Sequence, residues 1–295
     1  MSKNFRVHLF LFLANLIYGV SFTIVKEVVP GHIRPFGAIV IRVGVSLLLF
    51  LLTHALFVRE KVERRDLFLL LLCGLFGVAI NQCLFFLGLS MTTPIHAALV
   101  MVTTPILVLV ISALFQDEFF SWLKLLGVAL GAAGAACIIL SGKSFSFHNG
   151  QTMGDLWIFI NASSYAIYLV IVKPLMKKYH PLTVIRWVFL FGMLFVLPVG
   201  WNQFASIHWG SFSPTIWWSL SFLVLGTTFL AYLFNILALR DAAPSIVGIY
   251  IYAQPVIATL FALILGKDKF SWVEALASLL IFTGVYLVSR KTEKA

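Results

Sequence analysis

Acidic side chains are scarce in this chain. It has eleven Asp and Glu among 295 residues, and charges of both signs make up only 11%. A soluble domain of ordinary composition carries about 25%. Cysteine is scarcer still. Cys73, Cys83 and Cys137 stand alone in apolar surroundings, which excludes a disulfide framework or a Cys-based metal knuckle. No Walker-type phosphate loop occurs, so neither ATP nor another cofactor is implied. Long polar stretches are also missing, and no segment has the length of a second, water-soluble domain.

Apolar residues fill the space. They make up 61% of the chain and gather in runs of about 20, the length a helix needs to cross a hydrocarbon core of roughly 30 Å. Ten runs are legible, at 7–25, 36–57, 67–89, 94–115, 122–141, 154–172, 182–201, 215–239, 243–265 and 271–289. Short alternating segments, the mark of a membrane β-barrel, are not the pattern. Backbone groups in lipid must pair within their own segment, so the expected fold class is an all-α integral membrane protein with ten transmembrane helices. Lys3 and Arg6 before the first run, with Gly19-Val20-Ser21 at its end, imitate a secretory leader. The residues around that run recur in the second half, which favours a retained first span.

Lys and Arg set the orientation. With ten spans, the termini and the even-numbered connections share one side. Fourteen Lys and Arg fall there, five fall on the other side, and Arg42 and Arg186 lie inside spans. The positive-inside bias places both termini in the cytoplasm and the protein in the cytoplasmic (inner) membrane. The net charge of +10 sits in short connections. It therefore reports topology, and nucleic acid is not an implied partner.

One tripeptide occurs twice. Phe120-Ser121-Trp122 returns as Phe270-Ser271-Trp272, 150 positions later. At the same offset Leu87, Leu89, Pro94, Pro105, Leu126 and Gly134 match Leu237, Leu239, Pro244, Pro255, Leu276 and Gly284. Tyr18 and Ile24-Val25-Lys26 match Tyr165 and Ile171-Val172-Lys173, and Val40-Ile41-Arg42 matches Val184-Ile185-Arg186 at slightly smaller offsets. The series divides the chain into five-helix halves, 1–145 and 146–295. Five is odd, so the second half enters the membrane inverted, as in many secondary transporters.

Two such halves, each with an Arg in its second span and glycines in its fifth, resemble the EamA-type branch of the drug/metabolite transporter superfamily. The stretches "FRVHLFLFLANLIYGVSFTIVK" and "FFLGLSMTTPIHAALVMVTTPILVLVISALFQDEFFSWLKLLGVALGAAG" carry the resemblance, including Pro105, Glu118, Gly127 and Gly134. Lys267-Asp268-Lys269, where Glu is usual, and Tyr18, where Trp is common, depart from it. The resemblance implies a central cavity between the halves and transport of amino acids, other metabolites, drugs or sugar-linked compounds, often outward.

Polar residues inside spans are the candidate solute contacts. Asn15 and Tyr18 share a face of helix 1 with Phe22 and Lys26, and Asn161, Tyr165 and Tyr168 share one of helix 6. Asn81 and Gln82 lie in helix 3, Tyr232 and Asn235 in helix 8, Tyr250 and Gln254 in helix 9. The competing role for each is interhelical hydrogen bonding. Pro105 and Pro255 deprive Met101 and Ile251 of their helical partners, as kinks or as free acceptors at the cavity. Thr104 and Gln254, just before them, could share that task. Lys26, Arg42, Lys173 and Arg186 are gate or charge candidates. Arg42, about 9 Å from a helix end at 1.5 Å per residue, either snorkels to the interface or serves a gate or solute.

No carboxylate occupies a span centre. Exchange of protons for lipophilic cations needs one, so a neutral, zwitterionic or anionic solute fits better. His96 is the titrating candidate near the cavity, otherwise an interfacial histidine. Gly127 and Gly131 form a GxxxG pair able to pack within a monomer or between two copies, so monomer and homodimer both stay open. The expected function is secondary transport, with a small-molecule solute and the lipid bilayer as partners. The alternatives are a membrane-embedded transferase, or a receptor or assembly protein.

Overall fold

A computed structural model describes residues 3–29, 31–92, 97, 100–115, 121–141, 149–264 and 272–289. Among these residues the chain is helical throughout, with no strand. In chain order the helices are α1 (Lys3–Val28), α2 (Pro35–Phe57), α3 (Arg64–Met91), α4 (Thr103–Phe115) and α5 (Trp122–Ser141). They continue as α6 (Asn149–Ile171, extended by Lys173–Lys178), α7 (Pro181–Ala205), α8 (Pro214–Asp241), α9 (Pro244–Ile249, a 3₁₀ turn at Tyr250–Tyr252, then Ala253–Ile264) and α10 (Trp272–Ser289). Among the described residues, five helices (α2, α3, α6, α7 and α8) are long and apolar enough to cross a bilayer, and shorter apolar helices join them.

Helix starts follow local chemistry. Pro35, Pro181, Pro214 and Pro244 each occupy a first helical turn, where the missing N–H costs nothing. Ser213 caps α8 by accepting from Ile216 N. The outward surface is apolar: Leu48, Leu56, Phe57, Leu114, Phe115 and Ile264 are all exposed. An apolar surface of this extent faces lipid more readily than water. Trp122 and Trp272, the two tryptophans of the repeated tripeptide, open α5 and α10 and are 81% and 76% exposed. Their amphipathic rings suit a membrane interface. Phe120, Phe270 and Ser271 lie outside the described residues, as do Pro94, Glu118 and 267–269.

Two antiparallel seams organise the bundle. In one, α2 lies along α7: Gly37 approaches Gln203, Gly200 approaches Val40, and His54 reaches Thr183. Gln203 Oε1 accepts from Phe36 N and Gly37 N, and so closes the open N-terminus of α2. Phe50 and Phe189 fill the middle of this seam with ring centroids 4.9 Å apart. In the other, α5 lies along α10. A Cβ on Gly127 would come within 2.8 Å of the Gly284 carbonyl, and one on Gly134 within 2.5 Å of the Ala277 carbonyl. The GxxxG glycines thus pack within the chain, Gly127 against α10 and Gly131 against Tyr252 of α9. Among apolar helices in lipid such close approach, not hydrophobic burial, supplies the attraction. Around the seams, α1 packs on α8 and α9, while α6 packs on α3 and α4.

Candidate functional site

A cavity opens where α1, α2, α3, α6, α8 and α9 converge, with an empty volume of about 810 Å³ that includes space open to solvent. Nine of the eleven candidate solute contacts line it: Asn15, Tyr18, Asn81, Gln82, Asn161, Tyr165, Tyr232, Asn235 and Gln254. Tyr168 and Tyr250 do not. The Tyr168 ring lies against Gly77, where any Cβ would overlap it. The Tyr250 hydroxyl pairs with His8 Nδ1 at 2.7 Å. Lys26 and Phe22 are on α1 with side chains outside the described ones, and His96 lies outside the described residues.

Two wide turns shape the cavity wall. Residues Leu75–Ile80 of α3 and Phe222–Leu230 of α8 form π-helical segments. A π turn bonds i to i+5 and disturbs the ordinary pairing of carbonyls, and such turns gather at functional sites. Side-chain hydroxyls cover these carbonyls. Ser164 donates to the Phe76 carbonyl, and the Tyr232 hydroxyl is 3.0 Å from that of Gly77. Thr227 and Thr228 both donate to the Leu223 carbonyl, at 2.5 and 2.9 Å. Asn81 and Gln82 follow the first segment directly, so this turn sets their aim.

Arg42 corrects the snorkelling expectation. It is 5% exposed and lines the cavity. Its Nε donates to Thr228 Oγ1 at 2.8 Å and one terminal nitrogen donates to Thr227 Oγ1 at 3.1 Å. Its guanidinium stands 4.6 Å over the Phe86 ring. Donation into hydroxyls that themselves donate to a carbonyl fixes the fork in place. No acidic residue lines the cavity, so Arg42 is its only charged side chain among the described residues.

The remaining polar groups divide into satisfied and unsatisfied. Gln254 Nε2 donates to Asn15 Oδ1 at 2.8 Å, and Asn15 Nδ2 donates to the Leu11 carbonyl at 2.7 Å. Gln82 Nε2 donates to Tyr232 at 3.2 Å, and Asn161 Nδ2 to the Asn81 carbonyl at 2.5 Å. The amide oxygens of Gln82 and Asn161 are buried without a partner. A buried orphan acceptor costs about 1–3 kcal/mol.

Two other gate candidates, Lys173 and Arg186, are not among the described residues that line the cavity. Lys173 Nζ caps the end of α8, donating to the carbonyls of Leu239, Arg240 and Ala242 at 2.5, 3.2 and 2.6 Å. A cation there also complements the helix dipole. Arg186 donates to His54 Nδ1 at 3.0 Å. Since that nitrogen accepts, His54 carries its proton on Nε2 and donates it to Thr183, 3.2 Å away. The repeat placed Arg42 and Arg186 at matching positions, yet only Arg42 faces the cavity. Pro105 and Pro255 each stand third in a helical segment that restarts after a turn, at Thr103 and Ala253. The break therefore precedes each proline instead of bending an unbroken helix at it.

One end of the bundle is tied by a polar cluster. Lys178 reaches Glu63 at 2.7 Å and Asp66 at 2.6 Å. The hydroxyl of Tyr179 donates to Asp66 at 2.5 Å, and His180 N donates to Glu60 at 2.9 Å. Hydrogen bonding from Lys178 holds the exposed Glu63 carboxyl below its usual range. Burial, helped by the charge of Arg240, pushes the His180 imidazole down. Neutral His180 in turn caps α7 by accepting from Leu182 N at 3.2 Å.

Residues such as Thr227, Phe85, Phe86 and Met101 also line the cavity. Thr227 had one readable signal, the polar pair Thr227-Thr228 beside Gly226 within an apolar span. The aromatic and aliphatic walls had none, because composition does not separate cavity-facing from lipid-facing residues.

Comparison with known proteins agrees with this architecture. A solved crystal structure superposes with a TM-score of 0.77 over 96% of each chain at 20% identity, which shows a shared fold. An uncharacterized transporter of Archaeoglobus fulgidus is 27% identical over 98% of this chain and 99% of its own. A probable terminal-alkyne amino-acid exporter of Streptantibioticus cattleyicolor is 24% identical over 79% of this chain and 76% of its own. The EamA-like transporter family matches residues 5–140 and again 152–290. With both matches together spanning most of its length, the chain belongs to the EamA-like transporter family, helical multi-pass membrane proteins, and the relatives cited here are named as transporters.

Proposed function

We propose that this protein is a secondary transporter that exports a small metabolite, such as an amino acid or a related neutral, zwitterionic or anionic solute, by alternating access. The observation that carries the reading is the cavity with its single buried guanidinium and several amide and phenol groups, enclosed by helices from both halves. The family and the exporter among its relatives support it.

The halves 1–145 and 146–295 are proposed as inverted repeats of five spans, with both termini in the cytoplasm and the protein in the inner membrane. Several packing facts support this. The helices matched by the repeat, α2 with α7 and α5 with α10, run antiparallel. Exchanging the halves turns the α3–α6 contact into α8–α1, and α4–α6 into α9–α1. The two π segments stand at corresponding places in α3 and α8.

The test is flux. Purified protein in sealed vesicles is loaded with a metabolite extract, and the released solutes are identified chemically. Release of an unmodified solute that protein-free vesicles retain supports transport. Chemical conversion without net movement would favour a membrane enzyme.

A further inference from the structure

Two edges of the Arg42 guanidinium meet different surroundings. The plane carries five N–H donors in a fixed fork. Nε and Nη2 share its side edge, and these are the nitrogens bonded to Thr228 and Thr227. The end edge, formed by Nη1 and the second N–H of Nη2, has no hydrogen-bond partner among the described residues. Nη1 is not closed off from water, unlike the unpartnered amide oxygens of Gln82 and Asn161, so this edge opens on the cavity that Arg42 lines. One face of the plane is covered by the Phe86 ring at 4.6 Å. The two threonines are themselves fixed, because both donate to the Leu223 carbonyl of the π segment. The cavity therefore presents a positioned pair of parallel donors and one uncompensated positive charge.

We infer that the cavity selects organic monocarboxylates that carry no ammonium group, with the carboxylate along the end edge of Arg42 and an apolar tail along Phe85, Met101, Val247 and Ile251. The inference rests on the transport reading above and names the class of solute for the same cavity. Shape and charge decide it together. A carboxylate holds two oxygens in one plane and meets two parallel N–H groups at once. Its single negative charge cancels that of Arg42. A phosphate monoester brings about −1.5 to −2 and leaves the cavity negative. A neutral amide supplies an acceptor but no charge. A zwitterion brings its own cation, so the bound site keeps the full charge of Arg42. Its ammonium also finds no carboxylate, since all eleven acidic residues of the chain lie outside the span centres. Nor are the nearby amide oxygens vacant: Asn15 Oδ1 accepts from Gln254, and Asn81 Oδ1 faces the Tyr232 hydroxyl. An ion held away from water without a counter-ion is strongly disfavoured.

The test uses the full-length protein in nanodiscs and two sets of probes, each on one carbon skeleton. The first is 4-methylpentanoate, 4-methylpentanamide and leucine. The second is 3-phenylpropanoate, 3-phenylpropanamide and phenylalanine. Binding is read by thermal shift and by displacement of one probe by another. In at least one set the acid should bind about thirtyfold or more tightly than its amide, the low end of what leaving one partner of a buried charge pair unpaired costs. It should bind about tenfold or more tightly than the amino acid. In Arg42→Gln the preference for acid over amide should fall towards unity while the amide keeps its affinity. A fall of both affinities together would assign Arg42 to packing and overturn the proposal. The ranking on the unaltered protein decides independently of that variant. An amide or amino acid that equals its acid in both sets, or no binding of either acid, would overturn the proposal too. The vesicle experiment reads movement of any solute. Transport without this ranking sinks the present inference alone, and this ranking without transport sinks the transport reading alone.

Discussion

Gln82 and Tyr232 stand 150 residues apart in sequence, the spacing of the repeated tripeptide, and are hydrogen-bonded to each other at 3.2 Å beside the cavity. Each follows a π segment, Gln82 in α3 and Tyr232 in α8. The tyrosine hydroxyl also faces the Gly77 carbonyl and Asn81 Oδ1. One phenol therefore ties the wall of one half to the other.

Removing that hydroxyl tests the tie. Tyr232→Phe keeps the ring, its T-shaped contact with Phe189 at 5.2 Å and its volume. It leaves the Gln82 amide and the Gly77 carbonyl without this partner. The expected loss is about 1–3 kcal/mol of stability, together with reduced transport. Thermal unfolding in detergent and vesicle flux read the two effects. Unchanged values for both would show that water replaces the phenol at no cost.

The α5–α10 seam makes a sharper steric prediction. A leucine at Gly127 must fit where the Gly284 carbonyl already lies 2.8 Å from the first added carbon, and backbone cannot step aside as a side chain can. Overpacking of this kind costs about 1–3 kcal/mol. Gly31 is the control, since nothing lies within 4 Å of a Cβ there. Folded yield after solubilisation should fall for Gly127→Leu and hold for Gly31→Ala.

Much of this was legible in the sequence, and the failures share a cause. The helices and their order follow from runs of apolar residues. Asn15 and Tyr18 are found because helical spacing puts them on one face. Tyr168 obeys the same spacing, yet its ring fills the space above Gly77 of a different helix. Periodicity defines a face but not the neighbour across from it. The π turns escaped for the same reason, since the carbonyls they disturb are met by Ser164 and Tyr232 from other helices. Arg42 was read by its depth along α2, whereas Thr227 and Thr228 of α8 decide its direction.

The tied end of the bundle should respond to acid in two steps. The His180 imidazole sits below its ordinary value of 6.5 and caps α7 when neutral. Its contribution is fully present above pH 6.5 and is lost as pH falls through the lowered value, because the unfolded chain takes up the proton first. Glu63, held below its ordinary 4.5 by Lys178, adds a second loss below pH 4.5. Spin labels at Lys61 and Lys177 should show one narrow distance from pH 8 to 6.5 and broadening below. His180→Asn keeps a capping oxygen without a proton to gain, so the first step should vanish. Persistence of that step would move its origin to another group.

The topology is open to a chemical test. Asp66 and Lys178 touch at 2.6 Å, so the connections before α3 and after α6 share one end of the bundle. Phe36 N bonds Gln203 at 2.9 Å, so the start of α2 and the end of α7 share one end as well. In a cysteine-free background, single cysteines at Lys61 and Lys177 should be protected from an impermeant thiol reagent in intact cells. Those at Arg34 and His208 should react. Labelling of Lys61 and Arg34 from the same side would break the ten-span arrangement.

The most discriminating substitution is at Arg42. Its two threonine bonds use Nε and one terminal nitrogen, a geometry that only a planar fork provides. Lysine keeps the charge but carries its three donors on one nitrogen at the end of a flexible stem, so it lacks the rigid fork whose separate nitrogens reach Thr228 and Thr227. Arg42→Lys should therefore reach the membrane in normal amounts and lose most of its transport. Arg42→Gln removes the charge as well, and for a carboxylate-bearing solute it should transport less than the lysine variant. Thr228→Val supplies the intermediate case: the arginine stays, its orientation loosens, and transport falls without vanishing. If the lysine variant transports fully, the fork is dispensable and only the charge matters. If the glutamine variant also transports fully, Arg42 serves the packing of α2 against α8, and the solute owes nothing to its charge.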